Sequence, residues 1–155
     1  MKEYKKYLYD RFEFNEKYKN EVVELIRHNT NVEIGGYRLW DGQRTHLMQN
    51  PWELTDFIFS LKQHEIDTGK KISTFLEIGF ASGLNNSILN KFFKFQHIVG
   101  LDLFSSNLNG SNLLANMMWK NLILIAGNTR SQRTIDLSKK LGPYDLIFID
   151  ADHTY

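Results

Sequence analysis

The sequence contains no cysteine, so disulfides and thiolate metal sites are excluded, which suits a reducing compartment. It also lacks a charge excess. Nineteen basic residues against 18 acidic ones leave a net charge of +1, and no block of like charge suggests a tail. Nothing in that balance argues for a nucleic-acid partner. Lys2, Lys5 and Lys6 are interrupted by Glu3 and Asp10, which reads as a solvated helix face. No stretch approaches the ~20 apolar residues of a membrane span, and the first ten residues lack the apolar run of a signal peptide. The expectation is a cytoplasmic protein without a membrane or nucleic-acid partner. Repeats and low-complexity segments are absent too.

What is present fits a globular domain. The 155 residues are 42% hydrophobic and 24% charged, enough to bury a core. Aromatic residues are frequent at 14% and are expected to fill the core and the N-terminal helices.

Two textures divide the chain, a helical extension over 1–71 and a more regular region over 72–155. In the first, Val22, Val23, Leu25 and Ile26 form the stripe of a helix from about residue 15 to 28. A second helix is expected after Asn50 and Pro51, with Asn50 as N-cap, Pro51 at the first position and Glu53 in the first turn. Leu54, Phe57, Ile58 and Leu61 give it one buried face, and Asp67, Thr68 and Gly69 end it. In the second region, strands are expected at Thr74–Phe80, Ile98–Leu103, Leu122–Ala126 and Tyr144–Asp150. Helical patterns separate them at 84–93, 113–119 and 131–141. Strands alternating with helix-sized segments imply βαβ units, hence an α/β fold with a Rossmann-like parallel sheet and helices on both faces. The unbroken apolar run Leu146–Ile149 suggests a strand covered on both sides.

Chemistry is expected at the carboxyl ends of those strands. The first runs into Glu77-Ile78-Gly79-Phe80-Ala81-Ser82-Gly83 and then a helix. Glycines there allow a sharp turn and close approach of backbone N–H groups, and the helix points its positive end at the same place. A dinucleotide fingerprint would read G-x-G-x-x-G, but Ala81 and Leu84 stand where its second and third glycines would be. A pyrophosphate, and with it an NAD-dependent oxidoreductase, is therefore disfavoured. Glu77 suits a cationic or amine-bearing ligand. A generic strand–turn–helix corner is the bland alternative.

Asp102 and Leu103 close the second strand, one helix and one strand after Glu77. A carboxylate there can accept hydrogen bonds from both hydroxyls of a ribose; the alternative is a solvated strand end. Gly127 and Asn128 follow the third strand. Asn128 can offer its amide to a base edge or serve only as a turn residue. The fourth strand ends in Asp150, Ala151, Asp152 and His153. The imidazole of His153 can take a proton from a hydroxyl. Alternatively, Asp152 caps a turn and His153 is merely exposed.

Taken in order, Glu77, Gly79, Gly83, Asp102, Gly127 and Asp150 on successive strand ends resemble the class I S-adenosylmethionine-dependent methyltransferases. Phe75–Gly83 is similar to their first motif (E-x-G-x-x-x-G), Gly100–Leu103 to their second and Tyr144–Tyr155 to their fourth. Gln49–Leu54 resembles the lead-in helix of the small O-methyltransferase branch. The resemblance implies that Glu77 and the turn Gly79, Ala81, Ser82, Gly83 hold the methionine end of S-adenosylmethionine. It places the ribose on Asp102 and Leu103, with the adenine near Gly127 and Asn128. Many relatives carry an acidic residue where Asn128 stands. Phe148–His153 is similar to the metal-site strand of catechol-type O-methyltransferases and to cephalosporin hydroxylase-like relatives. That similarity implies Mg²⁺ on Asp150, with Asp152 as a further candidate ligand; Asp150 and His153 are the candidate catalytic groups, His153 standing where several relatives carry a lysine.

The implied activity is methyl transfer to a hydroxyl of a small molecule or sugar, in a cytoplasmic enzyme that can form homo-oligomers. Tyr37, Trp40 and Trp52 would line a lid or acceptor wall, or simply pack. The family sheet has seven strands and four are found here, so the chain is expected to be incomplete after the fourth. A non-catalytic, partner-completed nucleotide-binding domain is the alternative.

Overall fold

The computed structural model describes residues 7–28, 49–80, 83–103 and 120–151. Its elements are helices α1 (Tyr7–Asp10), α2 (Glu16–His28) and α3 (Pro51–Thr68), strand β1 (Thr74–Ile78), helix α4 (Leu84–Phe93), strands β2 (His97–Asp102) and β3 (Leu122–Ala126), helix α5 (Gln132–Leu141) and strand β4 (Leu146–Ile149). The expected helix at 113–119 lies outside the described residues, as do Tyr37 and Trp40.

The helix ends follow from local chemistry. Asn15 Oδ1 accepts the Tyr18 N–H at 2.8 Å and starts α2. Asn50 Oδ1 accepts the Trp52 N–H at 2.9 Å, with Pro51 opening α3. Such side-chain caps satisfy amides that have no partner within the helix. Gly69 ends α3 in the left-handed conformation (φ 68°). Glu65, buried near that end, accepts the Ile72 N–H at 2.9 Å and pairs with Lys62 at 2.9 Å. Burial would raise its pKa; the Lys62 ammonium and the Ile72 amide outweigh that and hold it lowered.

All four strands are parallel, in the order β3-β2-β1-β4. Glu77 lies between Gly100 on β2 and Phe148 on β4. On one face, Phe75, Ile98 and Leu122 pack with Val22 and Ile26 of α2, Leu54 and Ile58 of α3, and Leu89 and Phe92 of α4. Each fully buried large side chain of this kind contributes roughly 1.5–3 kcal/mol. The aromatic residues tie the helices together: Phe12 meets Phe14, Tyr18 and Phe59 edge-on at 4.8–5.0 Å between ring centroids. On the opposite face, Leu76, Val99, Leu101 and Ile125 pack with Leu141 and Tyr144, at the end of α5 and just beyond it. Helices thus lie on both faces of a Rossmann-like sheet.

Cover is uneven on that second face. The expectation that Leu146–Ile149 is enclosed on both sides fails: Ile147 and Ile149 are 52% and 62% exposed, while Leu146 and Phe148 pack on the α3 side. The reason is position, because β4 is an edge strand beyond the main footprint of α5. β4 is also shorter than expected. Tyr144 turns onto α5, its hydroxyl donating to Ser138 O at 2.6 Å. Asp145 serves as a clamp at the amino end of the sheet. Its Oδ2 accepts the Ser73 and Thr74 N–H groups at 2.8 and 2.9 Å and the Thr74 hydroxyl at 3.0 Å. These amide bonds hold its pKa below the usual carboxylate range.

Candidate functional site

The sheet order reverses between β1 and β4, and the carboxyl ends of the strands carry the candidate residues. Such a switch point opens a crevice where ligands of α/β folds bind. Glu77 is fully buried beneath the start of α4, and its Oε1 accepts the Asn85 amide at 2.7 Å. Glu77 Oε2, Asn85 Oδ1 and both polar atoms of the Asn86 side chain are buried without a hydrogen-bond partner. Asn86 is close enough to act on the carboxylate but makes no hydrogen bond of good geometry to it. Burial pushes the Glu77 pKa up to about 8; the two asparagine amides oppose this, and the charges of Asp150 and Asp102 add to it.

The glycines of the turn have structural work of their own. The Gly79 N–H donates to Leu101 O at 2.8 Å and that of Gly83 to Phe80 O at 2.8 Å, so neither is aimed at a ligand. Gly79 has φ 91°, and a Cβ there would lie 2.0 Å from Asp150 O. Its bare Cα lets the β1 and β4 tips meet. Phe80 is buried between Gly83 and Gly100, where an added Cβ would come within 2.6 and 2.4 Å of its ring. The turn therefore rests on an aromatic plug. Ala81 and Ser82 lie outside the described residues.

On β2, Asp102 is partly exposed and Leu103 is exposed; Asp102 O accepts the Gly127 N–H at 2.9 Å, joining the β2 and β3 tips. Gly127 packs against Thr134 of α5, which leaves no room for a side chain. Asn128 closes a turn: its Oδ1 accepts the Arg130 N–H at 2.8 Å. That engages the oxygen available to a base edge.

On β4, Asp150 is exposed, its N–H donates to Ile78 O at 2.8 Å, and its carboxylate accepts the side-chain amide of Gln49. The lead-in to α3 thus reaches the β4 tip, and Trp52 beside it is half-exposed with the Arg27 guanidinium 5.9 Å from its ring. Asp152 and His153 lie outside the described residues. Among the described residues no group of three His, Cys, Asp or Glu side chains converges. Mg²⁺ asks for about six oxygens, and Asp150 with Gln49 does not fit it alone.

Glu77, Gly79, Gly83, Asp102, Leu103, Gly127, Asn128 and Asp150 therefore share one edge of the sheet. The sequence reading missed Gln49, Phe80, Asn85 and Asn86. A signal existed for Asn85: Ile88, Leu89 and Phe92 follow it at three, four and seven residues, so a polar side chain stands on the apolar stripe of α4. Two grooves flank α5. One of about 780 Å³ runs between β3 and α5 past Gly127 and Asn128; one of about 410 Å³ lies under α5 against Leu76, Ile78 and Tyr144. Neither is lined by Glu77 or Asp102.

No protein-family profile matches this chain, and no curated protein matches it. Solved structures do. A Plasmodium falciparum protein assigned as a protein-L-isoaspartate O-methyltransferase, in complex with S-adenosyl-L-homocysteine, superposes with a TM-score of 0.51 at 19% identity, over 94% of this chain and 72% of that one. A second protein-L-isoaspartate O-methyltransferase gives 0.51 at 13% identity, over 84% and 47%. An SAH-bound methyltransferase of Podospora anserina gives 0.50 at 24% identity, over 91% and 60%. The chain thus has the fold of these methyltransferases and spans about half to three quarters of their lengths. In the described residues no helix is long and apolar enough to cross a membrane.

Proposed function

We propose that the chain binds S-adenosylmethionine across the tips of β1 and β2 and serves methyl transfer to a hydroxyl of a small molecule or sugar. The observation that carries this reading is the buried Glu77–Asn85 pair with its bare acceptor oxygens, one strand away from a partly exposed Asp102. Those oxygens fit an ammonium group such as the methionine end of the cofactor bears. Asp102 suits the two ribose hydroxyls, and Gly127 with Asn128 lies one strand further, toward the base. A pyrophosphate would meet the Glu77 carboxylate at the β1 tip, where the Gly79, Phe80 and Gly83 N–H groups are already engaged.

When bound, the cofactor supplies an electrophilic methyl group on a sulfonium. The chain's task is to align the acceptor and exclude water. In this reading Asp150, at the switch-point crevice and hydrogen-bonded by Gln49, orients an acceptor hydroxyl. His153, two residues beyond Ala151, is assigned the role of general base. A second reading, a nucleotide-binding domain completed by a partner or a second copy, draws on the open β4 edge with its exposed Ile147 and Ile149.

Calorimetric titration with S-adenosylhomocysteine and NAD tests the binding step. The nucleoside thioether is expected to bind, and Asp102→Ala to weaken it by about tenfold or more, as loss of charge-assisted hydrogen bonds implies. Tighter binding of NAD would refute the reading. Transfer of a labelled methyl to catechol, diol and sugar acceptors, with and without chelator, then separates the enzyme from the passive domain.

A further inference from the structure

The cluster beneath the β1 turn leaves three acceptors bare and only one donor. Glu77 Oε1 is served by Asn85 Nδ2, but Glu77 Oε2, Asn85 Oδ1 and Asn86 Oδ1 are buried and bare, with Asn86 Nδ2 the one bare donor among them. Buried acceptors without donors are costly, and a bare charged oxygen is the costliest. A carboxyl group in that setting has two remedies. It can hold a proton and turn one oxygen into a donor, or it can meet a cation that brings several N–H groups. The two compete for the same oxygens.

We propose, resting on the cofactor reading above, that ligand capture here is an exchange of hydrogens: Glu77 is a neutral acid in the free protein and releases its proton to solvent as the ligand's ammonium engages Glu77 Oε2 and the Asn85 and Asn86 oxygens. The balance is simple. The carboxylic O–H of Glu77 breaks, its proton goes to water, the carboxylate keeps the electron pair and the ammonium remains intact. Asn85 and Asn86 are positioning residues in this scheme.

The surroundings agree. Burial pushes the Glu77 pKa up to about 8, into the range where a neutral acid persists near neutrality. The charged groups acting on it, Asp102 from β2 and Asp150 from β4, are both acidic and favour the neutral form. α4 presents only the uncharged side chains of Asn85, Asn86 and Ser87 among its buried polar groups. An arriving cation reverses the preference by supplying the missing positive charge.

The test uses the full chain with S-adenosylhomocysteine as probe. Calorimetry in two buffers of unequal ionisation enthalpy counts protons, and an infrared difference spectrum follows the carbonyl stretch of a protonated carboxyl group. Affinity should rise about tenfold per pH unit below about pH 8, as release of one proton requires. Close to one proton should leave on binding, and the protonated-carboxyl band should disappear. Glu77→Gln, a neutral isostere of the acid, should fold and lose both the proton release and the band. Binding to the wild type with constant affinity and no proton release would overturn the exchange while leaving the cofactor reading intact. Proton release that persists in Glu77→Gln would assign it to the ligand's amine and overturn the exchange too. Failure to bind at every pH would sink both.

Discussion

Replacing Gly79 with alanine separates two effects of a glycine, because Gly69 provides an internal control. Both residues have positive φ, 91° and 68°. An alanine at Gly69 would meet nothing within 4 Å, so Gly69→Ala should cost only the conformational term, about 1 kcal/mol. At Gly79 the new Cβ would lie 2.0 Å from Asp150 O, 2.4 Å from Asp150 C and 2.7 Å from Ala151 N. These are backbone atoms of the neighbouring strand and cannot rotate away. β1 and β4 must separate by more than an ångström on the order of van der Waals contact. The Asp150 N–H to Ile78 O bond then weakens, a further loss of about 1 kcal/mol. With overpacking of roughly 1–3 kcal/mol, Gly79→Ala should cost about 3–5 kcal/mol, a large share of a typical domain's stability. Urea denaturation of both variants measures the difference. Gly100→Ala belongs in the same series, since its Cβ would meet the movable rings and methyls of Phe80 and Leu124 at 2.4 and 2.8 Å. Its cost should be intermediate and should shrink when combined with Phe80→Leu. If Gly79→Ala and Gly69→Ala destabilise equally, close approach of the β1 and β4 tips is not what the glycine provides.

The buried carboxyl of Glu77 makes a second prediction. Its folded pKa is raised from 4.5 to about 8, so its favourable contribution is complete below the unfolded pKa and is lost as pH rises through about 8. The unliganded wild type should lose a few kcal/mol of stability over that window, and Glu77→Gln should flatten the profile; denaturation curves between about pH 5 and pH 9 decide this. Asp145 has the opposite sign. Its pKa is lowered by the Ser73 and Thr74 amides, so its contribution is present above the unfolded carboxylate pKa and disappears as pH falls through the lower folded value. Because the side chain is exposed, Asp145→Ala should cost only about 1 kcal/mol, seen as an earlier acid unfolding midpoint.

The strand–helix alternation and the apolar stripes were legible because they depend on near neighbours. Asn50, Pro51 and Gly69 bound α3 by local backbone chemistry, and Leu122–Ala126 is a strand in both readings. The acidic and glycine residues at strand ends were legible for the same reason: β-strands of this length end where polar and turn-forming residues begin. Less legible was what each residue meets. Phe80 looks like any residue in a turn, yet it plugs the space that Gly83 and Gly100 leave. Gln49 lies 101 residues from Asp150, and no spacing rule connects them.

Sequence alone determined the class of fold, the strand tips that carry the candidate groups and the order in which they occur. Tertiary structure decided that Glu77 is enclosed with Asn85 and Asn86, that Gly79 is reserved for the backbone of β4, and that Ile147 and Ile149 stay open to solvent. The division has one physical cause. Periodicity and capping report interactions within a few residues along the chain, whereas burial, shifted ionisation and close backbone approach arise only when strands 74–78 and 146–149 are brought side by side.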